Sequence, residues 1–300
     1  MNPPAPRRRG RANSTLVLVE SAARILDEIR PATVRAVCYR LFVEGRIESM
    51  SKACTNKVSR VLRDAREAGD IPWGAIVDET REAERVSTWR EPDQIIDAAV
   101  RGYRRDAWQD QPRWVEVWSE KGTVRGTLAP VLDKFGVTFR VMHGYGSATA
   151  LHSIAEETRA AEKPLTVLYV GDWDPSGLHM SEVDLPARLE RCGGLVDLRR
   201  VALLHEDIAA GLPSFNAETK ALDPRFQWFT KRFGRTCWEL DALSPVSLRQ
   251  RIEEQIAQLL DLDAWRHAAT IEAAQVDSMK AFQAAYLKSR HASNCSAGAT

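Results

Sequence analysis

Cysteine is scarce in this chain of 300 residues. The five present, Cys38, Cys54, Cys192, Cys237 and Cys295, are odd in number and far apart, with no Cys-x-x-Cys pair. That spacing suggests neither a disulfide framework nor a structural zinc site. The six histidines have no ligand spacing either, and His179 reads as a surface residue. Long apolar runs are missing. Val196 to Leu204, among the longest, is too short and too interrupted by charge to span a membrane. The opening MNPPAPRRRGRANS lacks the apolar segment of a secretory signal, so a cytoplasmic protein with no membrane partner is expected. Internal repeats and a glycine-rich phosphate loop are also lacking. HGYGSAT (143–149) imitates a dinucleotide fingerprint but has Thr149 where its last glycine belongs, and it reads as a strand-to-helix turn with Ser147 as N-cap.

What is present is apolar material for a core, 44% of residues, and an uneven charge. Residues 1–70 hold 14 Lys and Arg against 8 Asp and Glu, whereas residues 71–300 hold 28 against 33. A basic head on an acidic body suits a nucleic-acid-binding module joined to a metal-binding body; on charge alone a solvated basic tail fits equally well.

Residues 1–14 read as a disordered basic arm. Three helices are expected next: from Ser14 to about Ile29 before Pro31, from about Thr33 to Val43, and from about Ser51 to Ala68 with Gly69 closing it. The third shows Lys52, Lys57, Arg60 and Arg63 on its polar side, a pattern for DNA contact. With the strand-like IPWGAIV (71–77) the set resembles a winged helix-turn-helix over 15–81, although any three-helix bundle shares the pattern. Residues 82–110, with a short helical pattern in PDQIIDAAVRGYRRDAW, read as a connector. A main domain over 111–285 and a disordered tail over 286–300 complete the division.

From residue 113 strands alternate with helices: RWVEVWS (113–119), a helix in 122–136, VTFRVMH (137–143), a helix over 147–161, LTVLYV (165–170), then VDLRRVALL (196–204). The last clear helix pattern covers about 245–260. This rhythm predicts an α/β fold with a parallel sheet, the strands' carboxyl ends on one edge. Glu120 follows the first strand, and Asp172 and Asp174 of DWDPSG follow the third. Two residues apart in extended chain, these aspartates project to one side. Their repulsion is relieved by a cation, and oxygen ligands of this kind suit Mg²⁺. Taken alone DWDPSG is a solvated Asp-Pro turn; Glu120 at the same edge favours the metal site.

Glu after one strand, then Asp-x-Asp-x-x-Gly two βα units later, resembles the Toprim domain of topoisomerases, primases and nucleases. DWDPSG is most similar to the version in the topoisomerase VI A subunit and the meiotic double-strand-break transesterases, minimal bacterial and mobile-element members included. Those relatives carry a winged helix before the Toprim domain, with a nucleophilic tyrosine in Arg-x-x-aromatic-Tyr. TVRAVCYRLF (33–42) matches at Arg35 and Tyr39, with Cys38 in place of the aromatic. Helix geometry puts Tyr39 off the apolar stripe of Val34, Val37, Cys38, Leu41 and Phe42, on a face with Arg35, so an outward-facing ring is expected.

The resemblance implies Glu120, Asp172 and Asp174 holding Mg²⁺, Tyr39 assisted by Arg35 forming a reversible 5′-phosphotyrosyl link to double-stranded DNA, and a nucleoid-associated homodimer. The absent phosphate loop assigns any strand passage to a separate ATPase subunit. Lys121 is a possible phosphate contact, otherwise a solvated lysine. Glu239, in TCWELDALSP, is a possible supporting acid, otherwise a surface acid at a helix start or edge strand. Two alternatives stay open: a Toprim nuclease that hydrolyses DNA with metal-bound water, and a catalytically silent DNA-binding module.

Overall fold

A computed structural model describes residues 13–77, 88–142 and 147–297. The basic arm, except its last two residues, and the first four residues of HGYGSAT fall outside these. The chain forms two compact units, one from Met1–Arg81 with Val115–Gln255, the other from Glu82–Trp114 with Ile256–Thr300. That division differs from the expected one, since the N-terminal helices cluster with the sheet and the connector clusters with the C-terminal helix.

The first unit opens with α1 (Asn13–Ile29), β1 (Ala32–Thr33), α2 (Val34–Val43), α3 (Lys52–Ala68) and β2 (Ile76–Val77). Capping sets the helix ends. The Thr33 hydroxyl accepts from Ala36 N, the Ser51 hydroxyl accepts from Cys54 N, and Gly69 ends α3 at φ 84°, a left-handed conformation that favours glycine. Leu18, Ile25, Leu26, Val37, Leu41 and Leu62 pack into one apolar core with their neighbours. The strand expected over 71–77 narrows to β2, which pairs in parallel with β1; Trp73–Ala75 is a 3₁₀ turn.

After α4 (Pro92–Gly102), which belongs to the other unit, come β3 (Trp114–Ser119), α5 (Val124–Phe135), β4 (Thr138–Val141), α6 (Ala148–Ala160) and β5 (Leu165–Val170). Ser147 caps α6 as the sequence predicts, accepting from Ala150 N at 3.0 Å. α7 (Pro175–His179) passes through a π turn, Met180–Asp184, into α8 (Leu185–Arg191), followed by β6 (Val196–Ala202). The parallel sheet runs β4-β3-β5-β6. All six residues of β5 are buried, as a central strand covered on both faces requires. Next come α9 (His205–Ala209), β7 (Phe215–Asn216), α10 (Phe226–Phe233), β8 (Thr236–Cys237) and α11 (Pro245–Leu259), with β7 and β8 pairing antiparallel.

In the second unit, α12 (Leu262–Ala297) packs against α4 and against a 3₁₀ turn at Ala107–Asp110. Trp108 meets Trp265 edge-on at 5.9 Å. The buried Gln111 side chain donates to Asp261 O at 3.0 Å and accepts from Asp261 N at 2.8 Å. Two expectations need correcting. Residues 92–102 form the helix that the connector's short helical pattern suggests, but it has a tertiary partner in α12 and is no bare connector, and residues 286–297 of the supposed tail continue α12. The reason is shared: Arg290 pairs with Glu91 and Asp93, and Gln283 donates to Asp97 at 3.3 Å, partners too distant in sequence for a local pattern to reveal.

Candidate functional site

The sheet order puts β3 beside β5, so Glu120 and the DWDPSG loop emerge from adjacent strands at the same edge. In that loop the extended chain alternates. Trp173 is buried, edge-on to Phe233 at 5.5 Å, and its backbone exchanges hydrogen bonds of 2.9 and 3.0 Å with Trp238. The flanking aspartates line a cavity of about 770 Å³ with Glu120. Asp174 also caps α7, its Oδ1 accepting from Gly177 N at 2.7 Å. Gly177 is required there, since a Cβ would lie 2.4 Å from Asp172 O.

The Trp173–Trp238 pairing draws residues 239–241 along the loop, and each of the three then makes a specific contact. Glu239 accepts from both Nε and one terminal nitrogen of Arg35 on α2. Leu240 N donates to Asp172 Oδ1 at 2.8 Å. Asp241 accepts from the Thr33 hydroxyl at 2.6 Å and from Lys121 Nζ at 3.1 Å. This short segment therefore joins the N-cap and first turn of α2 to the acidic edge. Lys121, at 2.8 Å from Asp172 as well, bridges two carboxylates rather than pointing into solvent. Glu239 is a partner of Arg35 rather than an unpaired surface acid, although it does start a 3₁₀ turn at Leu240–Ala242. No sequence pattern singled out Asp241; its signal is spatial alone.

Charge follows this geometry. Burial, then Asp174 and Asp172, raises the pKa of Glu120. Burial also raises that of Asp172, against the opposing pull of Lys121 and the Leu240 N–H. Burial works to neutralise Lys121, but Asp172 and Asp241 reverse this and hold it protonated. Lys220 lies 3.2 Å from Asp174 Oδ2. Among the described residues no three His, Cys, Asp or Glu side chains gather closely enough to hold one ion. The carboxylate oxygens of Glu120, Asp172 and Asp174 are of the kind that suits a hard cation such as Mg²⁺, and Lys121 and Lys220 pair with two of these side chains, Asp172 and Asp174.

Tyr39 departs from the outward ring expected of it. It is only 6% exposed, although it is not among the residues of the apolar core that α1, α2 and α3 share. Burial, then Glu239, raises its phenol pKa, while Arg35, with Cζ 6.0 Å from the ring centroid, works against them. Tyr39 still lines a second cavity of about 540 Å³, and Arg35, Lys220 and Glu239 line both cavities. Lys52, Lys57, Arg60 and Arg63 are exposed on α3, and Arg63 also lines the acidic cavity.

Arg200 on β6 escaped the sequence reading. Its guanidinium donates to Leu203 O (2.9 Å), Gly177 O (3.1 Å), Ser181 Oγ (2.7 Å), Gly171 O (2.8 Å) and Asp172 O (2.5 Å), and Cζ lies 5.6 Å from the Tyr169 ring centroid. One side chain thus fixes the backbone on both sides of DWDPSG. No protein-family model and no curated protein matches the chain.

Proposed function

We propose that the chain is a Mg²⁺-dependent DNA-cleaving protein of the topoisomerase VI A type, with the N-terminal helices as a winged-helix DNA-binding module and the sheet as a Toprim-type domain. One observation carries this reading: the cavity of Tyr39 and the cavity of Glu120, Asp172 and Asp174 meet at Arg35, Lys220 and Glu239. A phosphate at that junction would have two cations beside it, a phenol on one side and carboxylates on the other. Exposed cations on α3, ending at Arg63 on the cavity wall, suit the DNA backbone leading there.

In this reading Tyr39 Oη attacks phosphorus, the Oη–P bond forming as the P–O3′ bond breaks. The proton leaves Oη and the 3′ oxygen ends protonated, so one ester replaces another and the step is reversible. The buried phenol needs help to ionise. The Arg35 charge supplies it. Lys220 and Lys121 contribute positive charge on the carboxylate side. Glu120, Asp172 and Asp174 would hold Mg²⁺ once Asp172 and Asp174 part from Lys121 and Lys220 and the three carboxylates draw together, and the ion would supply positive charge for the phosphate and the leaving oxygen. The same reading includes a homodimer that cuts both strands of duplex DNA in the nucleoid, and a separate ATPase subunit if strands are passed.

The burial of Tyr39 favours a second reading, hydrolysis at the carboxylates with the tyrosine as a wall residue. Incubation with supercoiled plasmid and Mg²⁺, an SDS stop, and gels with and without protease separate them. Transesterification gives cut DNA that enters the gel only after protease and is lost in Tyr39→Phe. Hydrolysis gives free ends that persist in Tyr39→Phe and vanish in Asp172→Asn. Cutting by neither route would refute both and leave a DNA-binding module.

A further inference from the structure

The cavity beside Tyr39 has a composition that phosphate chemistry alone does not need. Phe42, Met50 and Phe215 line it with the phenol ring, and all three are half-buried apolar side chains facing open space. At the end shared with the acidic cavity stand Arg35, Lys220 and Glu239, Arg35 paired with Glu239 and Lys220 with Asp174. At about 540 Å³ it falls within the roughly 300–1,000 Å³ typical of small-ligand sites. Aromatic and thioether walls at one end and two cations at the other match the two halves of a nucleotide, a flat π-face and an anionic phosphate.

We propose that this cavity receives one unstacked nucleobase of a DNA strand, with the adjoining phosphate at Arg35 and Lys220 and the backbone continuing into the acidic cavity. The proposal rests on the DNA-cleavage reading and narrows its substrate to DNA in which a base at the cutting point is extrahelical or easily extruded. The combination of an aromatic wall with two cations selects this occupant. A phosphate can share Arg35 and Lys220 with their carboxylate partners Glu239 and Asp174, whereas a purely apolar ligand makes no use of either cation and a fully stacked duplex leaves the aromatic wall unused. Extrusion costs least where the base is unpaired already, so the site should discriminate between DNA forms more than between sequences.

The test compares binding of the full chain to two short duplexes of identical sequence, one carrying a single extrahelical base, with 2-aminopurine at that position reporting its stacking. The bulged duplex is expected to bind roughly tenfold tighter, the scale of one base–aromatic contact, and its probe emission to change on binding. In Phe215→Ala, and separately in Met50→Ala in case the first fails to fold, the preference should fall to about twofold or less. Arg60→Glu combined with Arg63→Glu should weaken both duplexes alike. Equal wild-type affinity for the two duplexes, or a preference that survives both wall variants, overturns the nucleobase site and leaves the cleavage reading standing. If the wild type binds neither duplex, both readings fall together.

Discussion

Replacing Arg200 with methionine tests how the acidic loop is held. The substitution keeps much of the aliphatic volume and removes all five hydrogen bonds of the guanidinium. Two acceptors keep other donors, Gly171 O from Leu203 N at 2.9 Å and Gly177 O from the Ser181 hydroxyl at 3.0 Å. Asp172 O and Leu203 O lose Arg200 outright. At about 1–3 kcal/mol for each buried acceptor left unpaired, the loss is roughly 2–6 kcal/mol. The buried guanidinium's own desolvation cost, which the variant no longer bears, offsets part of it. A net destabilisation of about 3 kcal/mol corresponds to a fall in Tm of ~6–12 °C for a unit of this size. Arg199→Met is the control. The preceding residue on the same strand faces solvent, with its side chain 45% exposed beside Asp197, and a surface pair of this kind is worth about 0.5 kcal/mol or less. Thermal unfolding by circular dichroism reads both. If Arg200→Met lowers Tm no more than Arg199→Met does, Arg200 does not hold the loop.

Three further outcomes are expected. Gly177→Ala forces a Cβ against Asp172 O, so it should cost about 1–3 kcal/mol and disturb the loop; unchanged urea unfolding would refute the close approach. Burial alone would raise the Asp207 pKa, but hydrogen bonds from Arg251 and Leu204 N reverse this and hold it below 3.8. The stability it contributes is therefore present above about pH 4 and lost as pH falls through the lowered value. Asp207→Asn should be destabilised at pH 7 with a gap to wild type that closes in strong acid, and a gap constant with pH would exclude the linkage. Glu239→Gln removes the carboxylate that opposes Tyr39 ionisation. In a spectrophotometric titration its phenolate should form at lower pH than in wild type, and an unmoved Tyr39 would contradict the assigned cause.

Local patterns made much of this protein readable. The strand rhythm from residue 113 predicted an α/β fold, and the described residues contain a four-stranded parallel sheet with β3 beside β5. Caps at Ser51 and Ser147 and the stop at Gly69 were legible because capping is decided within a few residues. The two aspartates on one side of an extended segment followed from the two-residue period, with Trp173 on the other side as the hidden counterpart.

Tertiary structure alone decided which charges meet. Asp241 and Lys121 are 120 residues apart in sequence and Arg35 and Glu239 are 204 apart, and no local periodicity carries contacts at that range. A helical period placed Tyr39 off the apolar stripe, and it does lie outside the core shared by α1, α2 and α3, but only the tertiary fold buried its ring. Arg199 and Arg200 are the same residue type in one strand, and the face each presents determines that one is hydrated while the other binds four backbone carbonyls. Sequence specified the elements because their energetics are local; burial and charge pairing depend on which surfaces folding brings together.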